Sequence, residues 1–180
     1  MQVVRSSAKV GDTNAEALYY LAIASAPESI ERTSAYFVPR PAFTDALCAA
    51  AERGVDVRIL VPGPHIDKGF VRAGGRAAYD ELLDAGVRLY EFQPTMLHAK
   101  TLCIDGAWSS VGTINFHNRS FPLHDEITLC VWAERFAGRL RDAFARGLMR
   151  IEQSEREMAD ALDGQRRLVR EVHHRVKNNL

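Results

Sequence analysis

The sequence predicts an α/β domain of layered α/β/α type followed by a long carboxy-terminal helix, and three observations carry that reading. Short β-branched runs alternate with helical stretches of about ten residues as far as Phe92, the pattern of βαβ units packed around a largely parallel centre. The stretch from His98 to Trp132 then adds a hairpin and a further strand. From Ala133 to Leu180 there is no proline, and charges of both signs alternate densely, as in a long solvated helix.

Taken in order, residues 2–6 read as a short strand, and Thr13 with Glu16 makes a capping-box pattern ahead of a helix near Ala15 to Ala26. Thr33 to Val38 is a β-branched and aromatic run stopped by Pro39 and Pro41. A helix over Phe43 to Arg53 closes at Gly54, and a strand over Val55 to Val61 ends at Pro62-Gly63-Pro64. His65 to Gly75 is polar and glycine-containing and reads as a loop bordering the site; its Gly74-Gly75 pair lacks the spacing of a phosphate-cradling loop. A helix from Arg76 to Ala85 stops at Gly86, and Val87 to Phe92 returns as a strand.

The carboxy-terminal stretch carries two sevenfold rows. Phe144, Ile151, Met158, Gln165 and Val172 form one, and Leu148, Glu155, Leu162, Val169 and Val176 the other. Together they make an a/d seam interrupted at Glu155 and Gln165, which predicts packing on the domain over 134–150 and a dimerising coiled coil beyond. The expected division is a catalytic half over 1–133, a helical linker over 134–163 and a second helical unit over 164–180.

Composition narrows the function classes. Lys plus Arg equals Asp plus Glu at 23 each, so the formal net charge is zero and nothing in the balance demands nucleic acid or an anionic membrane. Cys48, Cys103 and Cys130 are odd in number and far apart, which fits reduced core thiols in a cytosolic setting rather than a disulfide framework or a zinc site. No metal motif is present, and no cofactor is expected. No apolar run approaches the ~20 residues that span a bilayer, and the amino terminus has no signal-peptide core.

The chemistry concentrates in HAKTLCIDGAWSSVGTINFHNRSFPLHDE, residues 98–126. His98 and Lys100 are two apart, as are Thr113 and Asn115, so at strand spacing each pair shares a face. Asp105-Gly106 is a strong two-residue hairpin signal that folds the second strand back beside the first. Imidazole, ammonium, hydroxyl and amide then meet, a set suited to a phosphate. A single strand histidine is more often structural, but Lys100, Thr113, Asn115 and Glu126 in register favour a functional one. For Asp105 two readings stand, a catalytic residue or a turn former.

These residues resemble the signature of the phospholipase D superfamily, HxKxxxxD followed after six residues by G[ST]xN; His98, Lys100, Asp105, Gly112, Thr113 and Asn115 match every fixed position. The segments MQVV, AYFVP, AAERGVDVRILVPG and LLDAGVRLYEF extend the likeness to the carboxy-terminal half of bacterial cardiolipin synthases, over residues 1–150. The chain departs from them at His117, where Asp is usual, and at His124, where Asn is usual.

The resemblance implies cleavage of a phosphodiester through a phosphohistidine, with two HxK motifs from two halves meeting at one site. His98 would be nucleophile or acid and base, while Lys100, Thr113 and Asn115 hold phosphate oxygens. Glu126, 28 residues after His98, would hydrogen-bond the imidazole, and Arg119 and Ser120 would contact a head group or shape a turn. The implied substrate is a phosphatidylglycerol-like phospholipid, with transfer to an alcohol or to water, in a cytoplasmic protein touching the inner membrane peripherally. With one motif in the chain, the implied partner is a second copy or a missing amino-terminal half. Two alternatives stand beside this: a dimeric phosphodiesterase or nuclease, which the neutral charge disfavours, and a non-catalytic sensor module. The last ten residues, EVHHRVKNNL, resemble the phospho-acceptor box of histidine kinases, with His174 as acceptor beside Arg175 and Asn178. The sequence ends inside that box, so a kinase junction without its ATP-binding domain is expected.

Overall fold

A computed structural model describes residues 1–7, 14–66, 69–117 and 125–178. Seven strands form one sheet: β1 (Gln2–Ser6), β2 (Ser29–Ser34), β4 (Asp56–Pro62), β5 (Arg88–Phe92), β6 (Lys100–Ile104), β7 (Trp108–Gly112) and β9 (Glu126–Trp132). Two short strands, β3 (Phe37–Val38) and β8 (Phe116–His117), pair separately. The helices are α1 (Asn14–Ala24), α2 (Pro41–Glu52), α3 (Gly69–Arg76), α4 (Tyr79–Asp84) and α5 (Glu134–Asn178).

The strand order is β1-β9-β7-β6-β2-β4-β5. Within the seven-stranded sheet the parallel pairs are β2–β4 and β4–β5; β6, the middle strand, is antiparallel to both β2 and β7. This corrects the expected parallel centre. The helical crossovers deliver the parallel trio, but the tight connection Asp105-Gly106-Ala107, one residue longer than the expected two because Ile104 pairs with Trp108, can only join antiparallel neighbours. Asp105 and Gly106 adopt left-handed φ, 52° and 64°, and the Ala107 N–H reaches the Ile104 carbonyl at 3.1 Å, as a type I′ turn requires, with Ala107 left as the extra residue before Trp108.

Alternation along the strands sorts side chains between two cores. Val57, Ile59 and Val61 of β4, with Leu102 and Ile104 of β6, face the larger core shared with α1, α2 and α4. Leu60 and Phe92 face the opposite side, where Phe144 and Ile151 of α5 cover them. At Gly147 the helix comes so close that an added Cβ would stand 2.9 Å from the Leu60 methyl, so a larger residue there would make the Leu60 side chain move.

The segment read as a loop contains α3. It is held by Arg72 and Arg76, whose guanidinia pair with Glu91 of β5 at 2.6 and 2.9 Å. At Gly75 a Cβ would meet the Phe37 carbonyl oxygen at 2.1 Å, so this glycine is a packing contact between α3 and β3.

One unbroken helix, α5, runs for 45 residues, about 67 Å at 1.5 Å per residue. Its last core residue is Ile151; Met158, Leu162, Val169 and Val172 of the predicted seam are exposed. Among the described residues no helix is long and apolar enough to cross a membrane.

Cys48, Cys103 and Cys130 are free and buried. Burial, with the Glu31 carboxylate nearby, pushes the Cys103 thiol up to about 11. Because the thiolate is the reactive form, all three cysteines are expected to resist iodoacetamide at pH 8 in the folded protein and to react together on unfolding. Mass spectrometry of the alkylated protein with and without denaturant measures this.

Candidate active site

The sheet has one chemically loaded end. The parallel strands β2, β4 and β5 finish there at Ser34, Pro62 and Phe92, and the antiparallel β6 starts there, with Lys100 opposite Ser34. The crevice outside the carboxyl ends of parallel strands is where α/β sheets bind ligands.

His98 lies two residues before β6 rather than in it, and its side chain is exposed. The Lys100 ammonium donates to the His98 carbonyl at 2.9 Å, which curls the entry to the strand. The ring of Tyr36 meets the imidazole edge-on, with centroids 5.9 Å apart and planes at 84°.

The second half of the motif reaches the same place from β7. A Cβ on Gly112 would stand 2.2 Å from the Ile127 carbonyl oxygen and 2.6 Å from the Thr128 Cα, so only glycine lets β7 run this close to β9. That approach sets Thr113 against the start of β9. The Thr113 N–H donates to the Ile127 carbonyl at 2.9 Å, its hydroxyl accepts the Ile127 N–H at 3.0 Å, and the same hydroxyl bonds the Glu126 carboxylate. Asn115 is buried, and its Oδ1 accepts the Tyr36 N–H at 3.2 Å. Tyr36 therefore touches both motif segments, His98 through its ring and Asn115 through its backbone.

Gly112→Ala is expected to destabilise the protein by about 2 kcal/mol, the scale of a forced overpacking, and to lower the melting temperature by about 4 to 8 °C. Differential scanning calorimetry checks it, and an unchanged melting temperature would contradict the close-approach account.

The remaining expected site residues separate. Asp105 lies at the far end of β6, a strand about 17 Å long at 3.4 Å per residue. There its Oδ1 accepts the backbone N–H groups of Glu28 and Ser29 at 3.0 and 2.8 Å, tying the entry of β2 to the hairpin turn. Among the described residues Glu126 bonds Thr113, and no bond joins it to His98 in the same chain. Arg119 and Ser120, with His124, lie outside the described residues. His174 is exposed on α5, far along the chain from the sheet end.

The sequence reading missed Arg32. It is fully buried on β2, yet its Nη2 donates to the Ile114 carbonyl at 2.8 Å and its Nη1 to the Thr101 carbonyl at 3.4 Å. Its guanidinium carbon lies 5.4 Å from the Tyr19 ring centroid, and burial pulls its pKa down while Tyr19 opposes that shift. The Tyr19 hydroxyl in turn bonds Ser110 at 2.6 Å and Thr128 at 3.2 Å. Arg32 is thus a positioning residue that joins the HAKT and GTIN segments from beneath. A signal was present: Arg32 shares strand parity with the apolar Ile30, so a two-residue period puts it on the core face.

Comparison with known proteins agrees with this geometry. A family profile described as "Cardiolipin synthase, PLD-like domain" matches residues 19–148. Cardiolipin synthase A of Yersinia pseudotuberculosis is 39% identical over 159 residues, covering 88% of this chain and 31% of that protein. The chain therefore spans about a third of the length of the curated relatives it matches. Among solved structures, Nuc of Salmonella typhimurium, described as a phospholipase D family member, superposes with a TM-score of 0.70 at 23% identity, covering 83% of this chain and 95% of that one. NucT from Helicobacter pylori gives 0.65 at 17% identity, covering 82% and 96%. With motif, sheet topology and profile in accord, the chain belongs to the phospholipase D-like domain family of the cardiolipin synthases.

Proposed function

We propose that this chain cleaves a phospholipid phosphodiester by nucleophilic catalysis at His98, acting with a second HxK half. The observation that carries the reading is the convergence of His98, Lys100, Thr113 and Asn115 on one sheet end, with Tyr36 between the two segments. One imidazole nitrogen attacks phosphorus, the P–O bond to the leaving alkoxide breaks, and a second imidazole donates the proton that the alkoxide takes. The phosphohistidine P–N bond is then broken by water or an alcohol, deprotonated by that second imidazole. Lys100 supplies positive charge to the non-bridging oxygens. The Asn115 carbonyl oxygen is engaged by Tyr36, which leaves its amide N–H groups to donate to the oxyanion.

The chain contains a single HxK motif, so a copy in a second chain is the simplest source of the other imidazole; an isologous interface presents each residue twice. The exposed α5 seam beyond Ile151 gives such a dimer a reason to form. A phosphatidylglycerol-like substrate is favoured by the 39% identity to a cardiolipin synthase, and contact with a membrane surface follows from that substrate. The likeness of the final residues to a kinase acceptor box is a separate proposal, supported by the exposure of His174 on a continuous helix. It concerns signalling through α5, not the chemistry at His98.

The test is hydrolysis of a chromogenic phosphodiester across a range of chain concentrations, with the mass followed by light scattering. Specific activity that rises with the dimer fraction is expected. Full activity in a monomeric chain would refute the two-imidazole site, and an inactive dimer would refute completion by a second copy.

A further inference from the structure

We propose that a cavity on the α5 side of β6 binds a single-chain anionic amphiphile, with the alkyl chain inside and the anionic head on Arg146 and Arg150. The cavity has a volume of about 310 Å³ and lies between α5 and the strands β2, β4, β5 and β6. That is at the small end of ligand-sized pockets, which run from about 300 to 1,000 Å³.

Three observations define its ligand. Leu60, Phe92, Leu97, Leu140 and Phe144 give it largely aliphatic and aromatic walls. The space exists because Ala99, Ala143 and Gly147 carry almost no side chain where they line it. Arg146 and Arg150, one helical turn apart at i and i+4, are lining residues whose side chains are exposed, and neither has an ion-pair or hydrogen-bond partner among the described residues. Two unpaired guanidinia beside an apolar hollow call for a ligand with a hydrocarbon part and a negative end; phosphate and carboxylate both fit the guanidinium fork. Thr33 and Thr101, register partners on β2 and β6, are the other polar lining residues.

The cavity is distinct from the candidate active site. Leu97, Ala99 and Thr101 line it, whereas His98 and Lys100, which alternate with them, do not. The proposal therefore stands or falls without the phosphodiesterase reading.

The test is calorimetric titration of the full chain with alkyl phosphates of increasing length, each below its micelle concentration. Affinity is expected to rise about fourfold per methylene and to level off once the chain fills the cavity. A continued rise without a plateau would indicate surface adsorption and overturn the proposal, as would no saturable binding. Arg146→Gln with Arg150→Gln, both on an exposed helix face, should weaken the alkyl phosphate about tenfold and leave a neutral alkyl glucoside of equal length unchanged; equal loss for both ligands would refute the head-group assignment. Ala143→Phe should abolish binding of both at an unchanged melting temperature, and retained binding in that folded variant would refute the location. His98→Ala should bind as the parent does, and a loss of binding there would place the ligand at the active site instead.

Discussion

His98→Ala is expected to lower phosphodiester turnover by at least about a thousandfold, the scale on which losing a nucleophile or general acid acts, while leaving the melting temperature unchanged. The two halves of that expectation have different sources. The loss of turnover follows from the proposed covalent step, for which alanine offers no nitrogen. The unchanged stability follows from the structure: the side chain is exposed, its one described contact is edge-on to Tyr36, and the bond from Lys100 goes to its backbone carbonyl, which alanine keeps. His98→Asn should behave alike, since an amide can hydrogen-bond but does not form the phosphoryl intermediate. Steady-state kinetics with a chromogenic diester, run beside calorimetry, reads both halves. A variant that retained a tenth of the parent turnover would sink the assignment of His98. A variant that lost activity along with its fold would show that the histidine is structural.

Much of the domain was legible because local chemistry and tertiary structure agree. The Asp105-Gly106 dipeptide fixed an antiparallel hairpin, and the six matching positions fixed where its ends would gather. The seam on α5 was readable as far as Ile151, where its apolar residues meet Leu60 and Phe92. What was not legible is long-range. That β6 inserts beside β2, and so makes the sheet's centre antiparallel, depends on which edge the hairpin docks to, and no local signal encodes an edge. Strand spacing put His98 and Thr113 inside strands, but His98 stands two residues before β6, and Thr113, one residue past β7, is tied to the start of β9 through Ile127 and Glu126. Tyr36 was invisible as a site residue because its contribution is half backbone: its N–H, common to every residue but proline, is what holds Asn115. Gly112 was read as a motif letter, whereas the structure gives its reason, a carbonyl 2.2 Å from where a Cβ would sit.

Arg32→Met is expected to destabilise the protein by about 3 kcal/mol, which for a chain of this size lowers the melting temperature by about 6 to 12 °C. The sign needs an argument, because replacing a buried charge by a hydrophobe of similar volume can be neutral or stabilising when the whole charged cluster goes with it. Here only the donor goes. The Ile114 carbonyl, in a segment with 0% exposure at Ile114 itself, loses the 2.8 Å bond it receives, and the Thr101 carbonyl loses its weaker one. Leaving a buried acceptor without a donor costs about 1 to 3 kcal/mol, and the lost contact with the Tyr19 ring adds to it. Relief from desolvating the guanidinium works the other way, and the ring and two carbonyls offset only part of that cost in the parent, which holds the expected loss to about 3 kcal/mol. Arg32→Lys should recover little, since one ammonium lacks the planar fork that spans two carbonyls. The readout that separates positioning from mere stability is kinetic. At 15 °C, where the variant is still folded, turnover should fall about tenfold or more, because the two segments that Arg32 joins carry Lys100 and Asn115. Normal turnover in a destabilised variant would reduce Arg32 to a core residue, and a fully stable, fully active Arg32→Met would show that the two motif segments hold together without it.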